Sequence, residues 1–183
     1  MKLVILDRDG VINYDSDAYI KSPNEWIPIP GSIEAIAALS KAGFTVCVAT
    51  NQAGLARGLF DEHALEAMHA KMHQLVESAG GRIAFIAHCP HHPDDGCDCR
   101  KPKPGLLLRI ADKFNVNLAG VPFIGDSEKD VAAALSAGAR PILVRTGNGT
   151  ATERDGRIPD GVAVYDDLSA AAAALIDSSS PPR

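Results

Sequence analysis

The sequence predicts an α/β protein with a doubly wound, mostly parallel β-sheet. Short continuous apolar runs, which suit strands covered on both faces, alternate along the chain with segments of helical periodicity. Strands that alternate with helices favour parallel pairing through right-handed crossovers. Several of the apolar runs end directly in acidic, hydroxyl or glycine residues, so polar groups should collect at the carboxyl edge of the predicted sheet.

The predicted strands share an apolar composition, and glycine, proline or polar residues bound them. They cover residues 3–6, 44–49, 83–87, 121–125, 141–144 and 162–165. None of these runs approaches the roughly 20 apolar residues that span a bilayer. The runs are therefore predicted to be buried strands of a folded domain.

The predicted helices are recognised by their caps and by apolar residues at helical spacing. They cover residues 33–42, 62–79, 105–114, 131–137 and a last stretch that ends at residue 177. The expected caps are Ser32, Asp61, Ser127 with Asp130, and either Asp167 or Ser169. Residues 146–161 are rich in glycine and polar side chains, so they are predicted to be a loop.

The length of 183 residues predicts one domain over residues 1–177, with no separate cap domain and a disordered tail over 178–183. The formal net charge of −5 argues against a nucleic-acid or membrane-surface binder, because both favour a basic surface. The N-terminal residues lack the pattern of a signal peptide. We therefore expect a cytoplasmic protein, monomeric, whose partner is a small molecule.

Two carboxylates follow the first predicted strand. Asp7 and Asp9 are spaced i, i+2, so in an extended segment they point to the same side, and Gly10 allows a sharp turn after them. Two adjacent negative charges repel each other unless a cation lies between them. The pair predicts half of a metal-dependent site, with a plain acidic turn as the alternative.

Other strand ends and one helix start add polar groups to the same edge. Thr50 and Asn51 follow the second strand, Asp126 follows the fourth, and Lys101 precedes a helix. Three carboxylates are hard oxygen ligands suited to Mg²⁺. Thr50 and the backbone amides after it could hold phosphate oxygens, and a lysine could neutralise their charge. The combination predicts a Mg²⁺-dependent site for a phosphorylated ligand.

The cysteine-rich segment 89–99 predicts a second metal site. Cys89, His91, Cys97 and Cys99 offer three thiolates and one imidazole, which is a closed structural set for Zn²⁺. His92 could replace His91, and three free thiols are the alternative to a metal site. A closed set leaves no open position, so this metal should shape the loop and take no part in catalysis.

Four segments together resemble the motifs of the haloacid dehalogenase (HAD) superfamily of phosphatases. They are Asp7 to Val11, Thr50 to Gln52, Lys101 to Pro104, and Gly125 to Asp130. The resemblance implies a HAD-like, Rossmannoid fold, with Asp7 as the nucleophile that becomes an aspartyl-phosphate and Asp9 as general acid and base. It also implies Mg²⁺ held by Asp7, the Asp9 backbone carbonyl and Asp126. Val11 stands where many members carry threonine, a side chain with no chemical step in this scheme.

The cysteine-rich loop before Lys101 resembles the heptose-bisphosphate phosphatase and histidinol-phosphatase branch, where a zinc loop takes the place of a cap domain. This resemblance implies that Arg100 and Lys101 contact the substrate phosphoryl groups and that Asp15 to Tyr19 line the sugar side, with Asp15 and Tyr19 as contacts. Further contacts are implied for Thr50, Asn51 and Gln52. Ser127 departs from the lysine that members often carry there.

The resemblance favours a phosphomonoesterase that removes the 7-phosphate of D-glycero-D-manno-heptose 1,7-bisphosphate, a step of surface-glycan and lipopolysaccharide synthesis. Histidinol phosphate is the alternative substrate. An alternative from another class is a phospho-acceptor signalling module of the receiver type. Such a module carries its acceptor aspartate after the third strand, where this sequence has Cys89 and His91. A catalytically inactive binding protein of the same fold has no support, since every motif carboxylate is present.

Overall fold

The computed structural model describes residues 1–179 and contains a six-stranded sheet. The strands are β1 (Lys2–Leu6), β2 (Phe44–Asn51), β3 (Ile83–Cys89), β4 (Pro122–Gly125), β5 (Arg140–Val144) and β6 (Ala163–Tyr165). The helices are α1 (Ser32–Lys41), α2 (Glu62–Ser78), α3 (Gly105–Phe114), α4 (Glu128–Ser136), α5 (Gly149–Arg154) and α6 (Leu168–Ser179). Among these residues no helix is both long enough and apolar enough to cross a membrane.

The strands lie in the order β3-β2-β1-β4-β5-β6, and every pairing is parallel. The chain moves outward from β1 in one direction and then returns to continue on the other side. This change of direction leaves a crevice at the carboxyl ends of β1, β2 and β4, where open α/β sheets bind ligands. The predicted doubly wound parallel sheet is confirmed.

Helices cover both faces of the sheet, because successive side chains of each strand point to opposite faces. On β1, Val4 and Leu6 pack into a core with α1, α2 and α6, whereas Leu3 and Ile5 pack into a second core with α3 and α4. Trp26 is fully buried in the first core. The irregular segment between β1 and α1 is therefore packed against the body of the domain at the side of the crevice.

Several predicted boundaries differ in the structure. β2 continues to Asn51 and β3 to Cys89, each two residues beyond its predicted end. The N-cap of α1 is Gly31 and not Ser32.

Three further segments also differ from their predicted bounds. The segment 146–161, predicted as a loop, contains the short helix α5. Helix α4 begins at Glu128, three residues earlier than predicted, because Ser127 and Asp130 form a reciprocal capping box. Helix α6 continues through Ser179, so the first two residues of the predicted tail are helical; residues 180–183 lie outside the described residues.

Candidate active site

A cavity of about 610 Å³ opens at the carboxyl ends of β1, β2 and β4. It brings together the side chains that the sequence predicts for catalysis, Mg²⁺ and substrate. They are Asp7, Asp9, Asp15, Tyr19, Thr50, Asn51, Gln52, Arg100, Lys101 and Asp126. The strand order explains the convergence, since three neighbouring parallel strands end at this edge and the α3 N-terminus follows the cysteine-rich loop.

Lys101 lies at the floor of this cavity, and its side chain is only 3% exposed. Its Nζ donates to Asp7 Oδ1 at 2.8 Å, to Asp130 Oδ1 at 2.7 Å and to the Ala49 carbonyl at 2.9 Å. A buried ammonium group has three protons, and these three acceptors satisfy all of them. The position of the lysine charge beside Asp7 is therefore held by β2 on one side and by α4 on the other.

The protonation states of Lys101, Asp7 and Asp130 depend on one another. Burial, and then the Asp130 charge, raise the pKa of Asp7 well above its ordinary value, although Lys101 acts in the opposite direction. Burial would also raise the pKa of Asp130, but the Lys101 charge and several hydrogen bonds lower it below its ordinary value. Burial alone would lower the pKa of Lys101, whereas Asp130 and Asp7 raise it. One lysine thus faces two carboxylates, so an ionised Asp7 favours a second cation nearby.

Asp126 completes a cluster of three carboxylates with Asp7 and Asp130, in which one oxygen of each lies within 4.8 Å of the others. Burial and the Asp130 charge raise the pKa of Asp126 to about 7. Its Oδ2 accepts the backbone N–H of Asn148 at 2.9 Å. Gly10, at φ +84°, approaches the same carboxylate so closely that a Cβ there would overlap it. Glycine is thus required after the strand both for the turn and for this approach.

The oxygens of this cluster differ in how fully they are already bonded. Asp130 Oδ2 accepts the N–H groups of Asp126 and Ser127 and the Ser127 hydroxyl, and its Oδ1 accepts Lys101. Asp7 Oδ2 and Asp126 Oδ1, by contrast, have no hydrogen-bond partner among residues 1–179. Asp130 therefore serves to hold Lys101 and the Asp126 turn, and the free oxygens that can take a cation belong to Asp7 and Asp126.

The Asp9 side chain is not part of the carboxylate cluster. Its Oδ1 accepts Nε and Nη2 of Arg8 at 3.0 and 2.8 Å and the Asn13 amide at 2.9 Å. Within residues 1–179 its Oδ2 accepts only the Gln52 amide, at 3.1 Å. Because Asp9 lines the cavity, Oδ2 is the oxygen that retains room for a further hydrogen bond.

The last two residues of β2, Thr50 and Asn51, and the following Gln52 form the opposite wall. The Gln52 amide also donates to Thr50 Oγ1 at 2.9 Å, which links the hydroxyl to the Asp9 side of the cavity. Asn51 makes a two-way contact with the backbone of Lys101: its amide donates to the Lys101 carbonyl at 3.1 Å, and its Oδ1 accepts the Lys101 N–H at 3.0 Å. Asn51 thus anchors the chain that carries Lys101.

Arg100 lines the cavity next to Lys101, and its Nη1 is buried with no hydrogen-bond partner in the described part of the chain. Among the described residues it forms no ion pair with the acidic side chains of the cysteine-rich loop. The cation that does so is Lys103, whose Nζ lies 3.6 Å from Asp98 Oδ1 and whose side chain is half exposed. The Ser127 hydroxyl accepts the backbone N–H of Asp130 at 3.4 Å and donates to Asp130 Oδ2 at 2.9 Å, so the serine at this position caps α4.

The cysteine-rich loop brings its three thiols and one imidazole together. Cys99 Sγ lies 3.0 Å from Cys89 Sγ and 3.6 Å from Cys97 Sγ, and His91 Nδ1 lies 3.2 Å from Cys99 Sγ. These separations suit four ligands around one Zn²⁺, since Zn–S and Zn–N bonds are about 2.0–2.3 Å long. Burial raises the pKa of the Cys89 thiol to about 12, so its thiolate form needs a cation.

His92 does not join this group. Its ring Nδ1 accepts the backbone N–H of Asp94 at 3.1 Å, and its backbone N–H donates to Asp95 Oδ2 at 2.8 Å. These contacts cap the one-turn 3₁₀ helix Pro93–Asp95. The structure therefore places His91, and not His92, with the three thiols.

Sequence reasoning missed three contributors to the site. Asp130 was expected only to open α4, yet it holds Lys101. Asn148, at the start of the unpredicted helix α5, holds Asp126, and Arg8 holds Asp9. An aspartate at i+4 from Asp126 is a usable signal for the first. Nothing in the polar segment around Asn148 signals the second.

The chain is similar to known proteins over nearly its whole length. A family model described as HAD-hydrolase-like matches residues 98–171. The D-glycero-β-D-manno-heptose-1,7-bisphosphate 7-phosphatase of Pseudomonas putida is 59% identical over 176 residues, covering 96% of this chain and 100% of the relative. The enzyme of that name from Pseudomonas aeruginosa is 57% identical, covering 95% and 97%. The chain belongs to the heptose-bisphosphate phosphatase family.

Solved structures of the heptose-bisphosphate phosphatase family share the fold. The crystal structure of D,D-heptose 1,7-bisphosphate phosphatase from B. bronchiseptica, complexed with magnesium and phosphate, matches with a TM-score of 0.96 and 55% identity. That match covers 98% of this chain and 100% of the other. The phosphatase from Burkholderia thailandensis matches with a TM-score of 0.77 and 44% identity, covering 96% and 99%. The HAD-like fold is thereby shown for nearly the whole chain.

Proposed function

We propose that this protein is a Mg²⁺-dependent phosphomonoesterase that removes the 7-phosphate of D-glycero-β-D-manno-heptose 1,7-bisphosphate through an aspartyl-phosphate on Asp7. The observation that carries the proposal is the pairing of Asp7 with the buried Lys101 at the floor of the cavity. A carboxylate beside a fixed cation, open to the cavity through Oδ2, suits attack on a phosphoryl group. Relatives at 57–59% identity carry the name of this activity.

The residues at the cavity floor fit one Mg²⁺ ion. Asp7 and Asp126 present oxygens without partners, and burial disfavours their negative charges unless a cation is close. Mg²⁺ is usually bound by one or two carboxylates together with substrate phosphate and water. Asp7, Asp126 and the Asp9 backbone carbonyl would hold the ion, which supplies positive charge to the transferred phosphoryl group.

In the first step the Asp7 carboxylate attacks the phosphorus atom, and the bond from phosphorus to the sugar oxygen breaks. Asp9, in its protonated form, gives its proton to that oxygen, so the sugar leaves as an alcohol. Lys101 and the Thr50 hydroxyl face the phosphoryl oxygens and offset their charge. The product on the enzyme is the Asp7 acyl phosphate.

In the second step Asp9 is ionised and accepts a proton from a water molecule, which attacks the same phosphorus atom. The bond between phosphorus and Asp7 breaks, inorganic phosphate leaves, and both carboxyl groups return to their starting forms. Oδ2 of Asp9 suits both proton transfers, because Oδ1 already accepts three hydrogen bonds.

The cysteine-rich loop would hold a structural Zn²⁺ through Cys89, His91, Cys97 and Cys99. Arg100 comes directly after the last of these ligands, and its unpartnered Nη1 can donate to the second phosphate of the substrate. The other wall, from Asp15 to Tyr19, lies across the same cavity and would contact the sugar hydroxyls. Substrate choice is thereby assigned to residues outside the carboxylate cluster.

We expect Arg100→Gln to lower kcat/KM for the heptose bisphosphate about 10²-fold, because a charge-assisted contact to phosphate contributes about 1.5–3 kcal/mol. The same variant should hydrolyse heptose 7-phosphate nearly as well as the wild-type protein does. Steady-state kinetics with both substrates measure the difference. Lys103→Gln is the matched control, because it removes a neighbouring exposed cation that does not line the cavity. Equal losses on both substrates would contradict this role of Arg100.

The proposed function is tested by phosphate release from a panel of phosphomonoesters, with Mg²⁺ and with excess chelator. Heptose 1,7-bisphosphate should be turned over fastest, histidinol phosphate at least tenfold more slowly by kcat/KM, and the chelated samples not at all. No turnover of any ester with Mg²⁺ would overturn the phosphatase proposal. A preference for histidinol phosphate would keep the chemistry and overturn the substrate.

A further inference from the structure

The guanidinium of Arg8 is fully buried directly behind Asp9. Its Nε and Nη2 both donate to Asp9 Oδ1, and its Nη1 lies 3.2 Å from Nε2 of His69 on α2. A planar guanidinium whose edges contact two different groups cannot rotate without losing one of them. The orientation of Asp9 is therefore coupled to a histidine that lies 61 residues farther along the chain.

The contact between Arg8 and His69 defines the chemical form of the imidazole. Arginine has only donors, so Nε2 of His69 must be the acceptor and the ring proton must lie on Nδ1. Burial, followed by the Arg8 charge, lowers the pKa of His69 to about 3, which keeps the ring neutral at neutral pH. The neutral imidazole accepts a hydrogen bond from the buried Nη1 of Arg8. Because it carries no negative charge, it does not compete with Asp9 for the ion pair with Arg8.

His69 also contacts the ring of a second histidine. The ring of His88, on β3, meets it edge-on with 6.5 Å between the ring centroids. His88 Nε2 in turn lies 3.7 Å from Glu62 Oε2 at the start of α2. The ring is thus held between the sheet and its own helix, with Arg8 as its hydrogen-bond partner.

The contacts that Arg8 makes determine where the second carboxylate oxygen of Asp9, Oδ2, points. Oδ1 is held by Arg8 and Asn13, so the carboxylate plane is fixed and Oδ2 is directed to the cavity beside Gln52. A proton donor has to lie within about 2.6–3.2 Å of the atom that it protonates. A change in the tilt of the guanidinium would move Oδ2 away from the leaving oxygen.

We propose that His69 is a positioning residue for the acid–base step: through Arg8 it fixes the carboxylate of Asp9 so that Oδ2 meets the leaving oxygen. The proposal rests on the proposed phosphatase function. His69 does not line the cavity, so it contacts neither the substrate nor the reacting atoms. Its effect is therefore on the two proton transfers of Asp9, and kcat/KM reports the first of them, in which Asp9 gives a proton to the departing alcohol.

Comparing two substrates with different leaving groups distinguishes a positioning role of His69 from a purely structural one. An alkoxide leaving group, as in heptose bisphosphate, depends on protonation, whereas p-nitrophenolate departs without it. We expect His69→Leu to lower kcat/KM for heptose bisphosphate roughly 10- to 100-fold, since misplacing a catalytic group costs about that much. For p-nitrophenyl phosphate the change should stay within about threefold, because the acid step is not needed. His69→Gln, which keeps an acceptor for Arg8, should recover most of the lost rate.

His73→Leu is the matched control, one helical turn farther along α2 and similarly half-buried, without a hydrogen bond to Arg8 among residues 1–179. It should leave both substrates unaffected. Equal losses on both substrates in His69→Leu, or no recovery in His69→Gln at an unchanged melting temperature, would overturn the positioning role. The wild-type protein is assayed in parallel: if it turns over neither ester, the proposed function itself has failed.

Discussion

Asp7→Asn should reduce phosphate release from heptose 1,7-bisphosphate by roughly 10⁴-fold or more, because an amide cannot form the acyl phosphate. The substitution keeps the size of the side chain and its Oδ1 acceptor for Lys101. It removes the charge that attacks phosphorus. Phosphate release under saturating Mg²⁺ measures the loss, and mass spectrometry of quenched wild-type protein should detect the phosphorylated Asp7.

The same variant should be at least as stable as the wild-type protein when both are free of metal. The folded pKa of Asp7 is raised by burial and by Asp130, so its contribution to stability is present at low pH and is lost as the pH rises through that value. Asparagine avoids this loss, so thermal melting at pH 8 in chelator should show no decrease. Asp112→Asn, at an exposed position on α3, is the control and should keep full activity. Retained turnover in Asp7→Asn would contradict its role as nucleophile.

The parts of the site that could be predicted are those that depend on residues close together in the sequence. Residues 3–6 form a continuous apolar run, so β1, its burial and the position of Asp7 at its end followed from composition alone. Ser127 and Asp130 could be recognised as a cap because capping depends on residues three apart. Parallel pairing then brought the separate strand ends to one edge without any long-range information.

The parts that could not be predicted depend on contacts between distant residues. Asp130 holds Lys101 across 29 positions, and local sequence shows only its capping role. Helix α5 has no apolar stripe; Thr152 within it donates to the carbonyls of Asn148 and Asp126. Spacing alone left His91 and His92 as alternative zinc ligands, because the two are adjacent and only the fold of the loop separates them. In each case only the tertiary structure shows which residues lie together.

Cys97→Ser should release zinc and loosen the loop over residues 89–99 while leaving the carboxylate cluster in place. A serine hydroxyl is a poor zinc ligand. Residues that only hydrogen-bond to a metal ligand already change metal affinity about 10–100-fold when they are replaced, so loss of a direct ligand should weaken zinc binding by at least about 10²-fold. Zinc per chain, measured by elemental analysis after dialysis, should fall from one to well below one. Cys47→Ala, which removes a thiol that lies outside the group, should keep its zinc.

The effect of this variant on catalysis should appear in KM and in stability rather than as a loss of the chemical step. The loop joins directly to Arg100 and Lys101, and the Asp98 carbonyl accepts the N–H of Gly105 at 3.2 Å at the start of α3. Loosening it therefore displaces Arg100, the proposed contact to the second phosphate, first. Lys101 remains held by Asp7, Asp130 and Asn51. We expect a lower melting temperature and a raised KM for heptose bisphosphate, whereas Asp7→Asn loses turnover and keeps its stability. Equal losses of stability in the two variants would contradict this division between a structural zinc loop and a catalytic carboxylate.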